Sequence, residues 1–142
     1  MIPDERSMRF VAILNKKIEI GKLLNALGHM TAGLAGGSGE AQIMCFLQYK
    51  DKEEDIHPNI SHFPFIVLKA DNSSQIRSIR EEAKTRNIIF TDFTSTMTVG
   101  TSKEQQDKTH ETPERQLEYY GICLFGKTVE LKEFTGKFSL FK

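Results

Sequence analysis

The sequence lacks an excess of charge of either sign, has no tryptophan and contains only two cysteines. Because its nineteen basic and nineteen acidic residues cancel, the chain as a whole has no field that would attract nucleic acid or an anionic membrane. The two thiols, Cys45 and Cys123, are too few for a disulfide framework in a domain of this size. Each lies within an apolar run, which favours a buried core thiol over a bridge or a reactive pair.

Long hydrophobic runs are also absent. No stretch approaches the roughly eighteen apolar residues of a membrane span, and the opening MIPDERSMRF has no signal-peptide pattern. We therefore expect a cytoplasmic protein that has no membrane partner. The 142 residues suffice to bury one core, so the sequence predicts a single domain over residues 1–142.

Apolar periodicity predicts alternating strands and helices along the chain. The order of these elements is typical of the α/β class, with a mixed sheet in a three-layer α/β/α arrangement. Polar composition predicts a charged connection over 50–62 and a long flexible loop over 99–115. The predicted strands cover 8–14, 41–49, 64–70, 88–93, 118–126 and the KFSLF segment, and the predicted helices begin near Ile20, after Asp71 or Asn72, and within KTVELKEFTG.

The first predicted helix carries the polar residues of greatest interest. At about 100° per residue, Lys22, Asn25 and His29 fall on the side opposite the apolar stripe. Lys22 is close to the helix amino terminus, where free N–H groups favour an anion. The alternative is that these side chains are only the solvated back of a core helix. The apolar stripe consists of Leu23, Leu24, Leu27, Met30 and Leu34.

Four segments of the chain match a known pattern in the same order. They are Lys17 with Gly21-Lys22 and His29, the strand and helix of 64–84, Asp92 with Thr96, and the GICLFGKTVELKEFTGKFSLF segment from Gly121. By these segments the chain resembles the type II peptidyl-tRNA hydrolase fold, and more closely an uncharacterised bacterial domain family that shares this fold. The resemblance implies a homodimer, and a site where the first strand turns into its helix, near the end of the Asp92 strand.

The resemblance also implies roles for individual residues. Hydrolysis of an ester on tRNA requires a base that activates water, donors for the oxyanion and cations for the phosphates. The chain departs from the hydrolases where Ala26 replaces a glutamine and Glu118 replaces a second threonine. The implied catalytic residues are His29 as base or donor, Asp92 to orient water and Thr96 to donate to the oxyanion, and the implied ligand-binding residues are Lys17, Lys22 and Asn25.

These observations predict a cleft that binds a small anionic or nucleotide-like ligand. An esterase of the peptidyl-tRNA hydrolase type is the first alternative, although the balanced charge disfavours tRNA as a partner. A non-catalytic dimeric interaction module is the second. We expect no cofactor and no metal, because His57 and His62 have neither a cysteine partner nor a nearby HExxH helix.

Overall fold

The structure, a computed structural model, describes residues 2–142. Four helices and seven strands follow one another in these residues, with short 3₁₀ turns between some of them. The strands are β1 (Met8–Asn15), β2 (Phe46–Lys50), β3 (Ile56–Ser61), β4 (Phe65–Ala70), β5 (Ile89–Thr94), β6 (Tyr119–Lys127) and β7 (Ser139–Leu140), the helices are α1 (Ile20–Gly37), α2 (Ser73–Thr85), α3 (Ser102–Glu111) and α4 (Thr128–Thr135), and the 3₁₀ turns are Ala41–Ile43, Ser95–Met97 and Glu114–Gln116.

Five of the strands form one mixed sheet in the order β5-β6-β1-β4-β7. β1 runs parallel to β4, and the other neighbouring strands are antiparallel. The side chains of the sheet separate into two apolar clusters, one shared with α1 and the other shared with α2 and α4. Helices therefore cover both faces, which confirms the predicted three-layer α/β/α fold with a mixed sheet. Within residues 2–142, no helix combines the length and the apolar character needed to cross a membrane.

β1 is the central strand, and it is buried on both faces. Phe10 and Leu14 pack in the cluster on the α1 side, whereas Val11 and Ile13 pack in the cluster on the α2 side. This division follows from the two-residue period of a strand. A strand covered on both faces needs a nearly continuous apolar sequence, which is why the MRFVAIL run identifies it.

The packing of α1 on the sheet requires a residue without a side chain at Gly121 in β6. A Cβ atom built there would lie 2.8 Å from Leu14 Cδ2 and 3.0 Å from both the Ile13 carbonyl oxygen and Met30 Cε. Met30 is a buried residue of α1, so the helix approaches the sheet directly over this glycine. Leu24, which the periodicity assigned to the same apolar stripe, instead stays 59% exposed.

The strand predicted over 41–49 begins later than expected, at Phe46, and does not belong to the main sheet. Residues 41–43 form a 3₁₀ turn, and the strand that follows, β2, pairs with β3 in a separate two-stranded sheet. β3 lies within the segment that we expected to be a charged connection. Its turn is built locally, because Asp51 Oδ1 accepts hydrogen bonds from the backbone N–H groups of Glu53 and Asp55. The polar composition of the segment therefore did not indicate a hairpin, although side-chain hydrogen bonds stabilise its turn.

The prediction of a flexible loop over 99–115 is wrong, because this segment contains the helix α3. No residue of α3 is buried, so the segment has no apolar stripe for a periodicity argument to find. Its helical state rests on local interactions instead. Thr101 and Glu104 form a reciprocal capping box at the amino terminus, and Lys103 pairs with Asp107 one turn later at 2.8 Å. By contrast, the expected cap of α2 is confirmed, because Asn72 accepts a hydrogen bond from the Gln75 N–H.

A polar cluster on the α2 side links β6 to the segment before it. The Tyr119 hydroxyl donates to Glu114 Oε2 at 2.7 Å, and Arg77 Nε donates to the same oxygen at 2.8 Å. The Arg77 guanidinium also lies 5.3 Å from the centroid of the Tyr119 ring. Burial, together with the bond to Glu114, raises the pKa of Tyr119 above its ordinary value.

We predict that Gly121→Ala destabilises the protein by about 1–3 kcal/mol, because the added methyl group would overlap Leu14 and the β1 backbone. Gly126→Ala is the matched control in the same strand, where the nearest atom to an added Cβ, Leu131 Cδ2, is 3.6 Å away. Urea unfolding of the two variants measures the difference. Equal stabilities would contradict the close packing of α1 on the sheet.

We predict that Tyr119→Phe lowers the free energy of unfolding at neutral pH by about 1–2 kcal/mol, because it removes the bond to Glu114. The pKa of Tyr119 is higher in the folded than in the unfolded protein, so the unfolded chain ionises first and the native protein loses stability as pH rises above about 10. The phenylalanine variant has no such loss, and the stability difference should shrink above that pH. Tyr49→Phe, at an exposed tyrosine, is the control, and a pH-independent difference for Tyr119→Phe would contradict the assignment.

Candidate functional site

The exposed side of α1 borders an open cleft of about 610 Å³. Lys22, Asn25 and His29 line it from the helix, since residues three and four apart share one helical side. The opposite wall is formed by Met97, which ends the turn after β5, and by Gln105 of α3. The structure therefore brings together the three residues that the sequence placed on one side of the first helix.

The rings of His29 and Tyr120 line this cleft, and the Phe93 ring lies beside both of them. The His29 ring stacks on Phe93 of β5 with 5.9 Å between the ring centroids and 29° between the planes. Phe93 in turn lies 5.7 Å from Tyr120 of β6, which also lines the cleft. Phe93 and Tyr120 are buried, whereas His29 is exposed. The histidine is thus held by its ring against the sheet while its outer side faces solvent.

The charge at the cleft is concentrated at its α1 end. Among the ion pairs of residues 2–142, none involves Lys22. Glu19, the residue before α1, also lines the cleft and makes no side-chain capping bond to the helix. The N–H groups of the first turn near Gly21 are therefore not occupied by a side-chain cap, and they add partial positive charge beside Lys22.

The structure does not bring the Asp92 carboxylate into this cleft. Asp92 lies in β5 between Thr91 and Phe93, which face α1, so its side chain points to the α2 side of the sheet. There Arg80 Nε donates to Asp92 Oδ2 at 2.9 Å. Burial raises the pKa of Asp92 above its ordinary value, although the Arg80 guanidinium acts in the opposite direction. The carboxylate is a partner of α2 rather than a group that orients water beside His29.

Thr96 is also placed outside the cleft. It is buried, and its hydroxyl lies 2.7 Å from the hydroxyls of both Thr94 and Thr109. Thr109 Oγ1 in turn donates to the Gln105 carbonyl oxygen within α3. The chain of hydroxyls therefore connects the end of β5 to α3. It positions the helix that carries one wall of the cleft.

Lys17 follows β1 but does not line the cleft. Its backbone N–H donates to Asn15 Oδ1, which shapes the turn into α1. The ammonium group of the neighbouring Lys16 lies 2.8 Å from Asp71 Oδ1, and this bond lowers the pKa of Asp71, with a smaller contribution from Lys17. The two lysines thus bring positive charge to the start of α2, away from Lys22 and His29.

Two further hollows adjoin the cleft through shared walls. One, of about 310 Å³, lies between His29, Phe93 and Met97, and Asp92 also borders it although its carboxylate pairs with Arg80. The other, of about 470 Å³, follows α3 beside Thr109. Met97 and Gln105 border all three spaces. Met97 and Gln105 therefore lie where the three spaces adjoin, and the three spaces together are called the groove.

Sequence patterns point only weakly to Met97, Gln105 and Tyr120 as residues of the cleft. Gln105 belongs to a segment without apolar periodicity, and Met97 lies in an irregular turn. Tyr120 was detectable in principle, because strand alternation places it on the opposite face from Tyr119. Only the strand order shows which of the two faces lies under α1.

Two of the three histidines outside the cleft, His57 and His62, are bound to other groups, and His110 borders the hollow along α3. His57 Nε2 lies 3.0 Å from Asp51 Oδ2 in the β2–β3 hairpin, and His62 Nε2 lies 2.7 Å from the Pro3 carbonyl oxygen. In the described part of the chain, no three His, Cys, Asp or Glu side chains are grouped so that they could hold a metal ion. Cys45 and Cys123 are both free thiols, and Cys123 is buried.

Comparisons with known proteins identify a family and a fold. Residues 8–142 match the family described as protein of unknown function DUF2000. No curated protein has a sequence that matches this chain. The solved structure of a protein of unknown function from Agrobacterium tumefaciens is similar, with a TM-score of 0.80 and 17% sequence identity over 96% of this chain and 98% of that chain. Neither match supports the expected resemblance to type II peptidyl-tRNA hydrolases, whereas the expectation of an uncharacterised domain family is confirmed.

We predict that Thr96→Val loosens α3 without unfolding the sheet. The variant leaves the hydroxyls of Thr94 and Thr109 without their shared partner, and a lost buried hydrogen bond costs about 1–2 kcal/mol. Backbone hydrogen exchange should accelerate in α3 far more than in α1 or β6. Thr112→Val is the control, because the Thr112 hydroxyl bonds only to the Lys108 carbonyl inside α3. Equal exchange rates for α3 in both variants would show that the hydroxyl chain does not hold the helix.

Proposed function

The chain belongs to the DUF2000 family of proteins of unknown function, and from the cleft beside α1 we propose that it binds a small organic anion. The observation that carries the proposal is the convergence of Lys22, Asn25 and His29 on one open space. A volume of about 610 Å³ is typical of sites for small molecules, which generally measure about 300–1,000 Å³.

The α1 end of the cleft supplies the chemistry that an anionic group requires. Lys22 offers an ammonium group without a carboxylate partner, and the Asn25 amide can donate beside it. The uncapped first turn of α1 contributes backbone N–H groups to the same place. Glu19 opposes this charge from the rim, so the site suits one anionic group better than a run of phosphates.

The geometry favours binding over the hydrolase alternative. Of the three residues expected to be catalytic, only His29 lines the cleft, while Asp92 pairs with Arg80 and Thr96 with Thr94 and Thr109. An esterase would therefore lack the expected water-orienting carboxylate and oxyanion donor beside its histidine. The balanced charge of the chain also disfavours tRNA. The homodimer stays a prediction, and the molar mass in solution from light scattering tests it.

We predict that Lys22→Ala weakens the binding of inorganic phosphate or pyrophosphate about tenfold. A hydrogen bond to a charged group is worth about 1.5–3 kcal/mol, and 1.4 kcal/mol corresponds to a factor of ten. NMR titration of the labelled protein gives the dissociation constants and the resonances that move. Stability should change by no more than about 0.5 kcal/mol, because Lys22 is exposed.

Two further variants serve as controls for this titration. Lys132→Ala removes an exposed helix lysine of α4 and should leave anion binding unchanged. Glu19→Gln removes the opposing charge from the rim and should strengthen binding. If Lys22→Ala and Lys132→Ala weaken binding equally, the phosphate is attracted by the surface in general and the proposed site is wrong.

A further inference from the structure

The shape of the groove indicates what the rest of the ligand is. We propose that the hollow of about 310 Å³ behind His29 takes a planar heteroaromatic ring, so that the ligand is of the nucleoside monophosphate class. This inference rests on the proposed function, because the anionic group of the same molecule occupies the cleft at Lys22. The hollow and the cleft share His29, Met97 and Gln105, so they are adjacent, and one ligand of this class would extend across both.

The walls of the hollow suit a flat, polarisable group. The His29 ring stacks on Phe93, which holds it in one orientation, and Met97, whose Sδ accepts a hydrogen bond from the Thr94 N–H at 3.5 Å, lines the same space. Bases stack on histidine and other aromatic side chains, and sulfur makes favourable contacts with aromatic rings. A ring inserted between the imidazole and the thioether would therefore be held on both of its faces.

Two of the polar side chains around the hollow, those of Thr91 and Asp92, are occupied, whereas His29 and Gln105 can still offer hydrogen bonds. Thr91 Oγ1 donates to the Met30 carbonyl oxygen at 2.8 Å, and the Asp92 carboxylate pairs with Arg80 on the far side of the sheet. Gln105 Nε2 has only a long contact of 3.4 Å with the Gly100 carbonyl oxygen. A side-chain amide can donate and accept together, as the edge of a nucleobase requires. Gln105 is therefore the group that would select the ring.

The distance between the Lys22 end of the cleft and the hollow suits a ligand in which a spacer joins the anionic group to the ring. Asn25 and His29 are one helical turn apart, about 6 Å along the axis, and Lys22 lies almost another turn further. The distance between an anion held by Lys22 and Asn25 and a ring beside His29 is thus one that a pentose can span. A ring attached directly to its anionic group would not fill both places.

The test compares adenosine monophosphate, ribose 5-phosphate and adenosine by NMR titration of the whole chain. We expect adenosine monophosphate to bind at least tenfold more tightly than ribose 5-phosphate. Its ring current should shift the methyl resonance of Met97, which lines the hollow, and not that of Met44, which is buried in the core. Equal affinities of the two phosphates, or shifts confined to the Lys22 end, would overturn the proposal.

Variants separate this proposal from the one on which it rests. Gln105→Ala should weaken the binding of adenosine monophosphate severalfold and leave the binding of ribose 5-phosphate unchanged. Gln106→Ala, one position further on α3, should change the affinity for neither ligand. His29→Phe keeps an aromatic wall and should retain the preference for the nucleotide, whereas His29→Ala should abolish it. If both phosphates bind equally and both depend on Lys22, anion binding stands and the ring site is wrong. If neither depends on Lys22, the proposed function itself fails.

Discussion

The packing of α1 against β5 and β6 determines where the cleft and its polar side chains lie. Gly121 lets Met30 approach the sheet, and Thr91 Oγ1 binds the Met30 carbonyl oxygen from β5. The contact continues at Gly33, where a Cβ would lie 3.6 Å from Thr91 Cγ2, an ordinary van der Waals distance. With one side of the helix fixed in this way, the other side has a fixed orientation too. Its polar side chains consequently face one cleft and not bulk solvent on all sides.

The opposite wall of that cleft is held much more weakly. α3 buries no residue of its own, and it is joined to the end of β5 through the hydroxyls of Thr96 and Thr109. The groove therefore lies between a helix packed on the core and a helix attached by polar contacts. Such an arrangement allows one wall to adjust to a ligand while the cationic wall stays in place.

Charge is divided between the two faces of the sheet. On the α2 side, Arg77 and Arg80 each meet a carboxylate, and their guanidinium groups lie over aromatic rings. On the α1 side, Lys22 has no such partner among the described residues. Paired charges stabilise the packing of helix on sheet, whereas an unpaired charge in a cleft remains available to a ligand. Asp92 belongs to the first group although it is next in sequence to residues that face the second.

The parts of the fold that could be predicted are those indicated by a pattern of residues close together in the sequence. The buried strands, the amphipathic helices and the Asn72 cap follow from apolar runs, periodicity and side-chain type. The β2–β3 hairpin and α3 were missed, because turn and capping bonds stabilise them and no apolar stripe marks them. The residue pattern of α1 was sufficient to put Lys22, Asn25 and His29 on one side.

The α/β class, the core strands and the shared helical side of Lys22, Asn25 and His29 follow from the amino-acid pattern alone, because each of these depends on residues close together in the chain. Which residues face that side depends on how distant segments pack. Strand order and register place Tyr120 under α1 and turn Asp92 towards Arg80. A single residue step along a strand reverses the face of the sheet, so contacts between distant segments, and not composition, select the members of the site.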